Sequence, residues 1–422
     1  MVPSFTRYVL VGTLLCAAVV GKREVQAQTF GVELHNNLMP ASGGMGGVSI
    51  AQPQDLTSGI NGNPASLTQF AGTQFMFGAA WAEPTFNMNQ RRPIPLLDVE
   101  SYSAKSTAPG VPVANFGLTQ DLSELGVPAT LAIGFVTTSG VFADYRHVSA
   151  SDGANAGLAI FSIPVALGVD LTERLSVGAS LALGIAFFDG PFADVGGMTT
   201  DYALRGAVGV NYKLTDCTTA GAYYQTQQSF QFDNALLLAD GRIDRDLAMD
   251  LPQNVGFGVA NRALMDGRLL IGADLLYKLW NETDLFGALY DNQWVVQVGG
   301  QYSVGRLRLR AGYAWAENPI DQTPDFNVGR VPLGDLPAVR YTQGLLAVTS
   351  QNRISAGIGV VDVLPGIDVD LMAGGMLRDA EQLGASTETS IESYWIGFGV
   401  TGRFGRGVCK NVPAPDSSCS GQ

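Results

Sequence analysis

The chain has 422 residues, a net charge of −13 and only 15% charged residues, where a soluble protein of this size carries about 25%. The acidic balance excludes a nucleic-acid partner, since there is no basic patch to release counterions. No apolar run reaches the roughly 18 residues a spanning helix needs, so low charge points to an all-β membrane protein.

Residues 1–27 read as a secretory signal, with Arg7 as the positive start, Tyr8 to Val20 as the apolar core and Val25-Gln26-Ala27 as the cleavage site. Residues 28–70 are a different kind of sequence, rich in Gly, Asn, Ser and Ala without sustained alternation. Met45, Val48, Ile50, Leu56 and Ile60 give this stretch something to bury. Its Gly43-Gly44-Met45-Gly46-Gly47 run asks for close packing or unusual backbone. It is expected to form a hatch, a compact plug inside a lumen.

Strands and breaks alternate from Thr73 onward. In Leu175–Phe187, Leu175, Val177, Leu181, Leu183, Ile185 and Phe187 share one parity, and small or polar residues take the other. A period of two gives a strand one oily face and one small or polar face. Strands are expected at 72–88, 110–119, 128–140, 157–169, 175–187, 200–213 and 219–231. Seven more are expected at 252–262, 268–280, 293–303, 306–317, 351–361, 367–379 and 391–404. This gives a transmembrane antiparallel β-barrel of about 14 strands over residues 71–404. Short breaks at 170–174, 214–217, 262–267, 303–305 and 362–366 alternate with longer ones such as 188–199, 232–250 and 318–350. Short turns at one end and long loops at the other are the rhythm of an outer-membrane barrel. Residues 405–422 read as a polar, periplasmic tail.

Charge belongs inside, because a charged side chain at the lipid midplane costs up to about 4 kcal/mol. Gly272, Asp274 and Lys278 therefore face the lumen, and so do Arg308 and Arg310. Tyr313, Trp315 and Tyr394 fall on the lipid parity and fit interfacial aromatic girdles. Cys217, Cys409 and Cys419 follow the signal; an oxidising compartment permits one disulfide among them, and the pairing is left open.

Catalytic signatures are thin. His35 and His147 are the only histidines, with no His-Glu-x-x-His, Cys-x-x-Cys or Walker loop. The expectation is a protein that is not an enzyme and needs no cofactor.

Ser42-Gly43-Gly44-Met45-Gly46-Gly47-Val48-Ser49-Ile50-Ala51, followed by Gly62-Asn63-Pro64-Ala65-Ser66-Leu67, resembles the hatch of the FadL family of outer-membrane long-chain fatty acid transporters. Leu251-Pro252-Gln253, and Leu309 to Trp315 followed by Asn318-Pro319, resemble later strands of that family. The resemblance implies a fourteen-stranded barrel and a lumen-blocking hatch. It also implies an apolar groove among the outer loops, a lumenal site and a lateral opening made by a kink in the third strand. The chain departs from the family pattern after Phe404, where eighteen further residues follow the expected terminal aromatic.

Phe188, Phe192, Leu236, Leu237 and Leu238 lie in or beside apolar loops and are the candidates for ligand capture. Arg308, Arg310 and His35 are lumenal candidates, since a guanidinium grips a carboxylate bidentately. The competing reading of the arginines is an ion-pair network with Asp274, Asp368 and Asp370. Asn63, Pro64 and Ala65 are the expected gating element of the hatch. The expected partners are a hydrophobic small molecule (a fatty acid or hydrocarbon), outer-membrane lipid and the barrel assembly machinery, with the protein a monomer. A plugged porin and a loop-displaying receptor or adhesin are the alternatives.

Overall fold

The computed structural model describes residues 32–190, 198–236, 245–324 and 336–405 apart from 348 and 350, together with short strands at 327–328 and 331–332. The wall begins with β1 (Thr73–Gln90), β2 (Val111–Asp121), β3 (Ala129–Asp144), β4 (Asn155–Asp170) and β5 (Leu175–Asp189). It continues with β6 (Thr199–Thr215), β7 (Thr218–Gln225), β8 (Gln253–Leu264), β9 (Leu269–Leu279) and β10 (Gln293–Val304). It ends with β11 (Leu307–Ala316), β12 (Asn352–Leu364), β13 (Ile367–Leu383) and β14 (Thr387–Phe404). Neighbours in the chain pair antiparallel, and β14 pairs with β1 from Thr73↔Phe404 to Gln90↔Thr387. Closure removes the outer edges of the sheet. A short strand, Tyr102–Lys105, pairs with the loop end of β1.

The faces follow the parity of the sequence. On β9, Ile271 and Leu275 are exposed on the outside, while Asp274 and Lys278 are buried in the lumen. On β11, Leu309 and Tyr313 face out and Arg310 faces in. Tyr394, Ile396, Phe398 and Phe404 share the outer face of β14.

Residues 32–70 fill the lumen with short helical turns. Helix α1 (Leu56–Asn61) starts at Asp55, whose carboxylate accepts the Ser58 amide at 2.8 Å. The other oxygen of Asp55 accepts from the amides of Ala41 and Ser42, so one side chain holds two turns of the hatch together. Glycine on the wall lets the hatch dock on bare backbone. A Cβ at Gly312 would lie 2.0 Å from the Met45 carbonyl carbon, and one at Gly299 would lie 2.1 Å from the Met45 oxygen. Much of the chain's glycine thus lies where two backbones touch.

Three structural details differ from the sequence expectation. The strand expected at 219–231 stops at Gln225, and Gln228–Leu236 leaves the wall to pair with Arg245–Leu251 as a separate hairpin. Its inner side chains Phe230, Phe232, Met249 and Leu251 are fully buried, so burial above the lumen outweighs continuation of the ladder. The last strand starts at Thr387, four residues before the expected 391. The loop expected at 318–350 contains a helix, α2 (Pro337–Leu345). Its Arg340 donates to the carbonyls of Asp321 and Gln322, and its Gln343 to that of Leu289, which clamps three loop segments.

The expected signal (1–27) and most of the tail lie outside the described residues. Cys217, in the turn after β6, is disulfide-bonded.

Candidate functional site

The wall parts between β2 and β3. β2 pairs with β1 as far as Ala82↔Val111, but it pairs with β3 only from Asp121↔Thr130 to Phe116↔Phe135. Beyond that pair the two strands diverge. β3 shifts register against β4 between Thr137 and Ser139, a bulge that bends it away from β2. Around the point of divergence, Thr137 donates its amide to Asn115 Oδ1 at 3.0 Å and its hydroxyl to the Ala114 carbonyl at 3.2 Å.

The edge that β3 exposes here is served from inside. Leu34 donates to the Thr138 carbonyl at 2.9 Å, and Gly140 donates to the Val32 carbonyl at 3.2 Å. The N-terminal segment thus acts as a short inner strand where β2 has left. It supplies backbone partners that β2 no longer offers there.

A cavity with about 900 Å³ of empty space, its open mouth included, lies at this gap. Trp395, Phe86 and Met376 line it from the lumenal side, and Phe142, Ala159 and Phe161 from the outer side of the wall. With its lining drawn from both faces, the space lies across the wall at the gap. Its surface is almost wholly apolar, and Arg353 and Glu33 bring charge to its inner end.

Glu33 anchors that inner end. Its carboxylate is bound by Arg205 Nη1 at 2.7 Å, by Lys278 Nζ and by Asn254 Nδ2 at 3.1 Å. Burial alone would raise the Glu33 carboxyl; Lys278 and Arg205 outweigh it and hold the group well below the usual carboxylate range. His35, buried in the same cluster, is pushed down to about 3 by burial and by Lys278, and stays neutral. Arg205 also donates to the Thr226 and Pro252 carbonyls, where β7 ends and β8 begins. The cluster therefore joins the N-terminal segment to three wall strands through Arg205, Asn254 and Lys278.

The other expected residues fall elsewhere. Arg310 is buried against Asp370 at 2.5 Å and Gln301 at 2.7 Å, and neither Arg308 nor Arg310 lines the cavity. Arg403 bridges Asp362 and Asp368. Of the ion pairs expected for the two arginines, Arg310–Asp370 forms, while Asp274 instead accepts the Ser49 and Ile50 amides. Asn63 donates to Asn211 Oδ1 at 2.8 Å and to the Ile50 carbonyl at 3.0 Å, locking the hatch to β6. Pro64 and Ala65 press on Gly178, where a Cβ would lie 2.4 Å from Pro64.

Phe188 is 3% exposed and stacks on Phe232 at 5.1 Å, inside a core built by the loops above the lumen. The expectation of an exposed apolar surface is thus not met at Phe188, because the loops cover their own oil with Phe230, Phe232, Trp280, Phe286, Tyr290 and Tyr341. Phe192, Leu237, Leu238 and the side chain of Leu236 lie outside the described residues. Sequence reasoning missed Glu33, Arg205 and Arg353. The signal for Arg205 was present: it is a lone arginine on the small-residue parity of β6, between exposed Leu204 and Val208.

No protein-family model and no curated protein matches the sequence. Solved structures do match. The Pseudomonas putida toluene transporter TodX aligns with a TM-score of 0.63 at 17% identity, covering 89% of this chain and 100% of that one. A Pseudomonas aeruginosa FadL homologue gives 0.64 at 13% identity, covering 90% and 100%. The Ralstonia pickettii toluene transporter TbuX gives 0.61 at 13%, covering 88% and 100%. The plugged fourteen-stranded barrel of this chain is therefore the fold of the FadL-type channels.

Proposed function

We propose that this chain is an outer-membrane channel for passive movement of hydrophobic molecules, long-chain fatty acids or hydrocarbons, and that it catalyses no reaction. The observation that carries this reading is the apolar cavity at the gap between β2 and β3, lined from both faces of the wall. The hatch blocks the straight path, so a polar solute has no wide watery pore. A greasy molecule instead leaves sideways into lipid and never enters water, which keeps the gain of about 0.8 kcal/mol per buried CH₂ along the whole path. Support comes also from the solved relatives, whose descriptions name toluene and monoaromatic hydrocarbons. Capture at the loop end by Phe192, Leu236, Leu237 and Leu238, and gating through Asn63, Pro64 and Ala65, complete the proposal.

Gly140 tests it. This residue lines the cavity, and a Cβ there meets only the Leu158 oxygen at 3.8 Å, so a side chain fits without strain. Gly140→Phe is expected to fill the passage and abolish channel-dependent uptake of labelled oleate and naphthalene. The assay uses cells with a lipopolysaccharide outer leaflet, with heat-modifiability as the folding control. Normal uptake by the folded variant removes the gap from the path.

A further inference from the structure

Four phenylalanines cross the outside of the wall beside the gap. Phe116 and Phe135 stack with ring centroids 5.5 Å apart and planes 8° apart, and they form the last cross-strand pair before β2 and β3 separate. Phe135 stacks in turn on Phe161 at 5.4 Å, and Phe161 meets Phe187 edge-on at 6.0 Å. Phe116 is 43% exposed, and the other three rings are half-buried. Phe161 belongs to both structures: it is a rung of this ladder and part of the cavity lining.

An interfacial girdle does not explain the ladder, because girdle rings stay at one depth. Phe116 sits five positions from the turn end of β2 at Asp121, and Phe187 sits twelve from the turn end of β5 at Leu175. Seven positions at about 3.3 Å, on strands tilted about 40°, separate the two rings by roughly 18 Å of depth. The ladder therefore descends from near the loop end into the middle of the apolar band, passing the lip of the gap.

We propose that Phe116, Phe135, Phe161 and Phe187 form a binding strip on the outer wall for a flat aromatic hydrocarbon leaving the cavity, a reading that rests on the sideways route above. Phe116, Phe135 and Phe161 turn their faces to one another, so toward the outside the strip presents ring edges, the complement to the π face of a planar ligand in an edge-to-face contact. A saturated molecule of the same skeleton gains only the area it buries. The strip would hold the departing aromatic at the lip before it disperses among lipid chains.

The test compares naphthalene with decalin, its fully saturated counterpart. In cells expressing the full chain, the double variant Phe135→Leu/Phe161→Leu keeps apolar bulk and removes two rings. Each ring contact contributes roughly two- to tenfold beyond area burial. Channel-dependent uptake of naphthalene is expected to fall at least fourfold, and that of decalin less than twofold. An equal fall for both overturns the strip and leaves a steric lip; no change for either also overturns it. If the unaltered channel carries neither compound and Gly140→Phe changes nothing, the sideways route itself fails, and the strip falls with it. A second measurement needs no variant. A photoreactive naphthyl diazirine added to the membrane-embedded protein should label peptides of β2 to β5, and naphthalene should suppress this labelling where decalin does not. Labelling spread evenly around the wall would mark the rings as lipid contacts only.

Discussion

Ser49 donates its amide to the Asp274 carboxylate at 2.6 Å, and the same oxygen accepts the Ile50 amide at 3.0 Å. One wall side chain on β9 thus holds two consecutive hatch residues. Asp274→Ala removes both bonds, and hydrogen bonds to such a group contribute about 1.5–3 kcal/mol. Amide exchange at Ser49 and Ile50 is expected to rise by at least tenfold, with brief conducting openings in planar bilayers. A variant whose hatch exchanges as slowly as the parent would show that Asp274 is not an anchor.

Glu33 is the only acid bound to both Arg205 and Lys278 among the described residues. Glu33→Gln leaves those buried cations without their partner, and breaking such a pair costs about 3–5 kcal/mol. The loss falls on the N-terminal segment, because the barrel ladder does not depend on it. Exchange of the Leu34 and Gly140 amides, which bond across this contact, should therefore accelerate while heat-modifiability is retained. Unchanged exchange would move the anchor elsewhere.

The His35 imidazole gives the segment a pH dependence. Its folded value is about 3 against 6.5 in the open chain, because burial and Lys278 disfavour the cation. Between these values the unfolded segment binds the extra proton, so stability rises with pH across the window. The contribution is complete above 6.5 and is lost as pH falls toward 3. At pH 5 the loss is about 2 kcal/mol, and Glu33 adds only a small share in the same direction, because its open-chain value of 4.5 lies just below that pH. Thermolysin protection of the hatch in urea should weaken from pH 7.5 to pH 5 in the parent and stay nearly level in His35→Asn. An equal decline in both would assign the effect to another group.

Strand number, parity and the turn-and-loop rhythm were legible because each is local. Leu181 and Leu183 announce the outer face of β5 by alternation alone, and Gly305 or Asp362 marks a tight turn wherever the strands go. The hatch was legible by contrast, as the one long stretch before the strands that breaks the period of two. The gap between β2 and β3 left one mark in residue types, Pro112, whose missing N–H suits the edge that β2 presents once β3 has left it. What opens it is the bulge near Thr138 together with the stagger of the pair, and both are properties of register. The Glu33, Arg205 and Lys278 cluster was hidden for a related reason. Its members lie 172 and 245 positions from Glu33 and meet only after closure of the barrel. Phe188 failed as an exposed residue because a loop's oil is indistinguishable in sequence from a loop core's.

A ligand seated in the cavity is expected to be sorted by its two ends. The apolar walls reward chain length by about 0.8 kcal/mol per CH₂ until the space is filled. At the inner end, Arg353 is 6% exposed and lines the cavity beside Glu33. A carboxylate arriving there meets a charge-assisted donor, worth about 1.5–3 kcal/mol, whereas an alcohol of equal length offers a weaker partner. Binding of a fatty acid to the detergent-purified protein should therefore weaken about tenfold or more in Arg353→Gln, with the matching alcohol changed less than threefold. Titration calorimetry with acids and alcohols of ten to eighteen carbons separates the two ends, since the slope per carbon should be the same in parent and variant. A variant that loses acid and alcohol alike has lost the shape of the cavity. One that loses neither places the head group away from Arg353 and leaves the channel to neutral hydrocarbons.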